Sequence, residues 1–235
     1  MAVIRDNREI AKDIYMLTLA GVAPGAAGQF VELHLPDGAM LLPRPISLFD
    51  TDEERGETTL VYRIAGKGTQ LLGTLKCGEL RVTGPLGNGF PIEDGPAVLI
   101  GGGLGIAPLY LLLKTLKRAD PAREVSVYLG YTEPVFLKEH FFDLADIVTA
   151  QTGGYITDAV DFSREAVYYA CGPAPMMRAA AKKASEYGRK LYVSLESRMA
   201  CGVGACLGCS IETINGNRRV CKDGPVFDAR EVYYE

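Results

Sequence analysis

The chain has 235 residues, of which 48% are hydrophobic and 23% charged, enough apolar material to bury a core and too little net charge to stay unfolded. Its length allows one large domain or two smaller ones with an appendage, and a disordered tail protein is excluded. Twenty-five Lys and Arg against 29 Asp and Glu leave a net charge of −4, so no general attraction to nucleic acid or anionic membrane is expected. No run reaches the ~20 apolar residues that span a bilayer. The first 20 residues carry Arg5, Asp6, Arg8, Glu9, Lys12 and Asp13, where a signal peptide needs an apolar stretch. A cytoplasmic protein without nucleic-acid or membrane partners is expected.

Along the chain, short β-rich runs come first, at 14–19, 30–35, 46–49, 59–64 and 80–83, separated by turn residues. They predict a small antiparallel barrel or sandwich. The stretch Gly84-Pro-Leu-Gly-Asn-Gly-Phe-Pro91 is so dense in glycine and proline that no regular element is expected to cross it, and a boundary follows near 94–96. Beyond it, candidate strands at 97–101, 125–131, 147–149, 167–170 and 191–195 alternate with candidate helices at 107–118 and 176–187, the rhythm of a parallel sheet with crossover helices. The tail is too short for a core of its own and needs a staple. The expected domains are 1–95, 96–196 and 197–235.

Four of the six cysteines supply a candidate staple. Cys201, Cys206, Cys209 and Cys221 are spaced C-x4-C-x2-C-x11-C, the plant-type ferredoxin spacing for a [2Fe–2S] cluster. Gly202, Gly204 and Gly208 remove side chains that would keep backbone N–H groups away from bridging sulfides. Structural zinc, whose cysteines usually come as two C-x2-C pairs, and free thiols are the alternatives.

A second signal follows the first strand of the α/β half. In Val98-Leu-Ile-Gly-Gly-Gly-Leu-Gly-Ile-Ala-Pro108, Gly103 and Gly105 stand between a strand and a helix start, where backbone N–H groups can receive a pyrophosphate. Tight packing is the competing reason for such glycines. The segment 168–176, with Cys171, Gly172 and Pro173, closes a later strand, where open α/β sheets place ligands. A third signal is Arg44-Pro-Ile-Ser47 with Val61-Tyr-Arg63 and Gly66-Lys-Gly-Thr69: arginine forks and hydroxyls suit phosphates, although a surface turn plus a strand would read the same way.

In this order, the motifs resemble the ferredoxin reductase superfamily. Ser197-Arg-Met-Ala-Cys201 through Cys209 and Val220-Cys-Lys-Asp-Gly-Pro-Val-Phe227 are similar to the tail of the electron transfer subunits of type B dihydroorotate dehydrogenase. The resemblance implies an antiparallel FAD-binding β-barrel, a parallel-sheet nucleotide-binding domain and a small [2Fe–2S] C-terminal subdomain. It implies FAD contacts at Arg44, Pro45, Ile46, Ser47, Val61, Tyr62, Arg63, Gly68 and Thr69, NAD contacts at Gly103, Gly105, Cys171, Gly172 and Pro173, and cluster ligands at the four clustered cysteines. Dihydroorotate would be oxidised at FMN in a separate catalytic subunit, within a heterotetramer of two of each chain, and electrons would pass through the cluster and FAD to NAD+ in pyrimidine biosynthesis. The same relay serving a hydrogenase or sulfide-linked oxidoreductase, and a nucleotide-sensing module with structural zinc, are the rival readings.

Three readings are local. Thr132-Glu133 ends a strand, and an acidic group there favours the ribose hydroxyls of NAD over the 2′-phosphate of NADP. Cys77 is expected to be a buried small residue. His34 and His140 lack metal-ligand spacing and are expected to be ordinary.

Overall fold

Alternation of apolar and polar residues builds the first half. In this computed structural model, which describes residues 1–36, 40–132 and 134–233, β1 (Ala2–Ala11), β2 (Ile14–Ala20), β3 (Phe30–His34), β4 (Arg44–Asp52), β5 (Glu57–Arg63) and β6 (Glu79–Leu86) close into a barrel in the order β1-β2-β5-β4-β3-β6. Leu17, Leu19, Val31, Leu33, Leu48 and Leu60 are buried in its core. Inside, Asn7 Nδ2 donates to the carbonyls of Leu72 and Leu75 at 2.8 Å each, and Tyr62 Oη donates to Asn7 Oδ1 at 2.9 Å. This amide is thereby satisfied without water.

The structure adds β1 to the strands read from the sequence, lengthens β6 and corrects the expectation that Cys77 is buried. The run of charges near the N-terminus hides β1, whose Arg5, Arg8 and Glu9 face solvent while Ala2, Ile4 and Asn7 face inward. β6 continues through Gly84 and Pro85 to Leu86, because β3 supplies its ladder, Phe30 opposite Leu86 and Glu32 opposite Thr83, and a register shift between Phe30 and Glu32 absorbs the irregular backbone. Cys77 is exposed, lying in the turn between α1 (Lys67–Thr74) and β6, where no second layer covers it.

The second half is a six-stranded sheet in the order β14-β11-β10-β7-β8-β9. β7 (Ala97–Gly102), β8 (Val125–Tyr131), β9 (Ile147–Thr152), β10 (Val167–Cys171) and β11 (Lys190–Ser194) pair in parallel. All six residues of β7 are buried, as befits a strand covered on both faces. The helices are α2 (Ala107–Ala119), α3 (Lys138–Phe142) and α4 (Ala174–Glu186). Phe49 of the barrel stacks on Tyr110 of α2 with centroids 4.7 Å apart.

The tail is woven into both halves. β12 (Ser210–Thr213) and β13 (Gly216–Arg219) form a hairpin, β14 (Val226–Asp228) joins the sheet antiparallel to β11, and α5 (Ala229–Val232) follows. Cys209, Cys221 and Phe227 share a core with Phe30 of β3 and Val193 of β11, so the tail borrows the apolar layer it is too short to build. Among the described residues, no helix is long and apolar enough to cross a membrane.

Candidate functional site

Where barrel, sheet and tail meet there is a cavity of about 250 Å³. One wall is Pro45, Ile46 and Ser47 of β4 with Val61 of β5, and the opposite wall is Leu104, Gly105, Cys171 and the segment from Ser194 to Met199. A flat ring laid on β4 would be covered from the far side by the second half of the chain. Beyond this cavity Arg44 lies over Gly68, where a Cβ would stand 2.8 Å from Arg44 Nη1. The first turn of α1 carries no acidic residue, and Arg63 is exposed beside this turn. Thr69 Oγ1 accepts from the N–H groups of Ala65 and Gly66 at 2.8 and 3.2 Å, pinning the turn. Two guanidiniums and a bare helix start suit a pyrophosphate, so these residues fit FAD. Tyr62 departs from the expected set: its side chain is sealed in the barrel, stacked on Tyr15 at 5.5 Å, so a flavin contact at this position falls to the main chain.

Cys171, expected among the nucleotide contacts, lines this junction cavity instead, beside Ser194 and Glu196, which no sequence motif announced. Glu196 stands at its mouth, partly in solvent, and burial against the walls raises its carboxyl above the ordinary range. The Cys171 thiol, hydrogen-bonded to Ser194, is pushed up to about 12 by burial and stays protonated. These residues are separated in sequence and become neighbours only because β10 and β11 lie side by side.

A second cavity, of about 450 Å³, opens at the carboxyl ends of β7, β8 and β10 and is lined by Gly103, Gly130, Thr132, Tyr155, Pro173 and Met176, among others. Gly103 has φ +55 and open space where a side chain would point. Gly105 is different: a Cβ there would lie 2.4 Å from the Cys171 carbonyl oxygen, and one on Gly172 would lie 2.8 Å from that of Gly102. Gly105 and Gly172 therefore interlock the two βα turns, while Gly103 and Pro173 face the cavity. Among the described residues, the charged ones lining it are Asp158 and Lys183, paired at 2.7 Å. Glu133, on which the sequence argument for NAD rested, lies outside the described residues.

The four clustered cysteines stand as two pairs. Cys206 N–H donates to Cys201 Sγ and Cys221 N–H to Cys209 Sγ, each at 3.4 Å. Backbone N–H groups of Cys206, Val203 and Ala205 hold the Cys201 thiol down to about 6, whereas burial and the neighbouring Cys209 push Cys221 up to about 12. Among the described residues, no three Cys, His, Asp or Glu side chains gather around one point; four thiols in two N–H-bonded pairs supply the residue set a [2Fe–2S] cluster would use. Sequence reasoning missed the brace beneath them. Arg219 is held by Asp223 at 2.9 and 3.0 Å and donates to the Gly204 carbonyl at 3.4 Å.

The profile of the iron–sulfur cluster binding domain of dihydroorotate dehydrogenase B matches residues 196–233. Dihydroorotate dehydrogenase B (NAD(+)) electron transfer subunits from Bacillus cereus (strain Q1) and Bacillus anthracis (strain A0248) are each 41% identical to the chain, over 98% of it and 96% of their own length. The chain belongs to this family of electron transfer subunits. A chain of the NADH-dependent reduced ferredoxin-NADP oxidoreductase superposes with a TM-score of 0.88 at 32% identity, over 99% of this chain and 89% of that one. Phthalate dioxygenase reductase shares the fold, with a TM-score of 0.66 at 23% identity over 87% of this chain and 69% of that one. The matched iron–sulfur segment begins at Glu196, at the mouth of the junction cavity.

Proposed function

We propose that the chain relays electrons between NAD and a dihydroorotate-oxidising partner, with FAD in the junction cavity, NAD in the cavity at the sheet's carboxyl edge and a [2Fe–2S] cluster on Cys201, Cys206, Cys209 and Cys221. When bound, the flavin couples two-electron exchange with NAD to one-electron exchange with the cluster. The observation that carries the reading is the continuity of one segment: Glu196, Ser197 and Met199 line the junction cavity, and Cys201 follows two residues later. Two residues span at most ~7 Å, so this backbone joins the two redox sites directly.

The chain's own residues divide the remaining work. Arg44, Arg63 and the start of α1 hold phosphates, Pro45, Ile46 and Ser47 set the plane of the ring, and Leu104 and Met199 exclude water from it. Glu196 can hold a proton at its carboxyl oxygens at the cavity mouth. NAD rather than NADP is favoured because the cation lining the nucleotide cavity, Lys183, is already paired with Asp158 and leaves little for a 2′-phosphate. The partner is an FMN-bearing catalytic subunit, assembled as two of each chain. A four-thiolate site favours a reducing compartment, the cytoplasm.

Reconstitution tests the division of labour. The isolated chain should bind flavin, iron and sulfide and reduce artificial acceptors with NADH, yet leave dihydroorotate unchanged; adding the catalytic subunit should create dihydroorotate:NAD+ activity. Turnover of dihydroorotate by the chain alone would overturn the reading.

A further inference from the structure

Among the described residues, Glu32 Oε1 and two nitrogens of Arg123 are the buried side-chain atoms without a hydrogen-bond partner. Arg123 sits by the linker, 4.0 Å from Asp94. Glu32 sits where the redox sites meet. It lies on β3, opposite Pro45 of β4 and Thr83 of β6, and Pro45 is part of the flavin wall. Two residues before it, Phe30 lines the same cavity and shares a core with Cys209 and Cys221.

The Glu32 carboxyl presses on the cluster loop itself. A Cβ on Gly202 would stand 2.5 Å from both the carboxyl carbon and Oε1 of Glu32, so the loop backbone passes directly over the acid, one residue from Cys201. Glu32 is only 3% exposed, so bulk water does little to screen it from the loop above. A buried acceptor without a donor is destabilising, a cost that an apolar side chain at this position would remove. Reduction potentials of such clusters follow local charge, hydrogen bonding and solvent exposure, and an electron-rich group in a poorly solvated setting acts strongly.

We propose that Glu32 tunes the cluster: its carboxyl, held by β3 against Gly202, lowers the affinity of the bound [2Fe–2S] cluster for an electron and so favours onward transfer to the flavin. Glu32 is a positioning residue, acting through the loop without touching substrate. The inference rests on the cluster reading above, and the two fail separately: a chain without iron and sulfide sinks that reading, whereas a loaded cluster indifferent to Glu32 sinks only this one.

The test is a redox titration of the full chain with its cofactors, followed by the electron paramagnetic resonance of the reduced cluster, with the flavin midpoint read in the same titration as a control for global disturbance. Glu32→Gln keeps the shape and removes the acid. It should raise the reduced-to-oxidised ratio of the cluster about tenfold at a fixed potential, equivalent to ~59 mV for a one-electron couple. Should Glu32→Gln fail to retain its cluster, Glu32→Asp, which withdraws the carboxyl by one methylene, carries the test with a smaller shift in the same direction. A cluster midpoint that stays at the wild-type value, or falls, in the loaded variant overturns the proposal, as a purely structural role would move thermal stability alone.

Discussion

Cys206 is exposed, while Cys209 and Cys221 lie in the core, so one thiol pair opens to solvent and the other anchors the tail. Cys206→Ser should abolish the visible iron–sulfur absorbance and lower the melting temperature, because metal–thiolate bonds substitute for missing apolar core; retention of two irons and two sulfides per chain would refute the ligand assignment. Glu196 makes a second residue-level prediction. With its carboxyl raised by burial against the cavity walls, it keeps a proton to higher pH than a fully solvated acid, and Glu196→Gln should slow NADH-driven flavin reduction by roughly 10²-fold and flatten the acid limb of its pH profile. Stopped-flow flavin bleaching measures both. The cysteine spacing was legible from the sequence because ligand chemistry dictates it locally. Glu196 was not, because a lone acid two residues past a strand has no pattern until Cys171 and Ser194 are brought beside it.

Among the elements, the two glycine loops separate packing from binding. Gly105→Ala drives a methyl into the Cys171 carbonyl, 2.4 Å away, where backbone cannot yield, and should cost about 3 kcal/mol, a fall of roughly 6–12 °C in melting temperature for a chain of this size. Gly103→Ala meets no neighbour and should cost only the ~1 kcal/mol of a left-handed alanine, while its methyl enters the nucleotide cavity and raises KM for NADH. Calorimetry and steady-state kinetics on the pair distinguish the two roles, and equal melting temperatures would contradict the packing assignment of Gly105. The sequence showed both glycines in one motif and had no means of dividing them. It likewise missed β1, whose solvent-facing charges obscure its period, and the full extent of β6, whose ladder comes from β3 more than 40 residues upstream.

For the molecule as a whole, the cluster loop presents Val203 at 52% and Leu207 at 62% exposure, and Leu207 holds φ +60, a conformation that costs a leucine of order 1 kcal/mol or more. Exposed apolar side chains on a strained loop beside a one-electron carrier suit a docking surface. Val203→Lys should therefore lower dihydroorotate:NAD+ activity of the reconstituted complex by tenfold or more through a weaker subunit dissociation constant, with NADH oxidation by artificial acceptors unchanged. Equal affinity for the catalytic subunit, measured by calorimetry, would remove this loop from the interface.

The sequence by itself determined the chemistry and the order of parts: thiolate spacing, arginine and glycine motifs and the change from strand runs to strand–helix alternation are short-range patterns, set within a few residues by ligand geometry, turn formation and backbone hydrogen bonding. Only the tertiary structure decided what those parts do to one another. Glu32 under the cluster loop, Glu196 beside Cys171, Arg219 bracing Gly204 and β14 completing the sheet all depend on contacts between segments that the chain brings together only when apolar surface is buried. A one-dimensional pattern carries no distance between them.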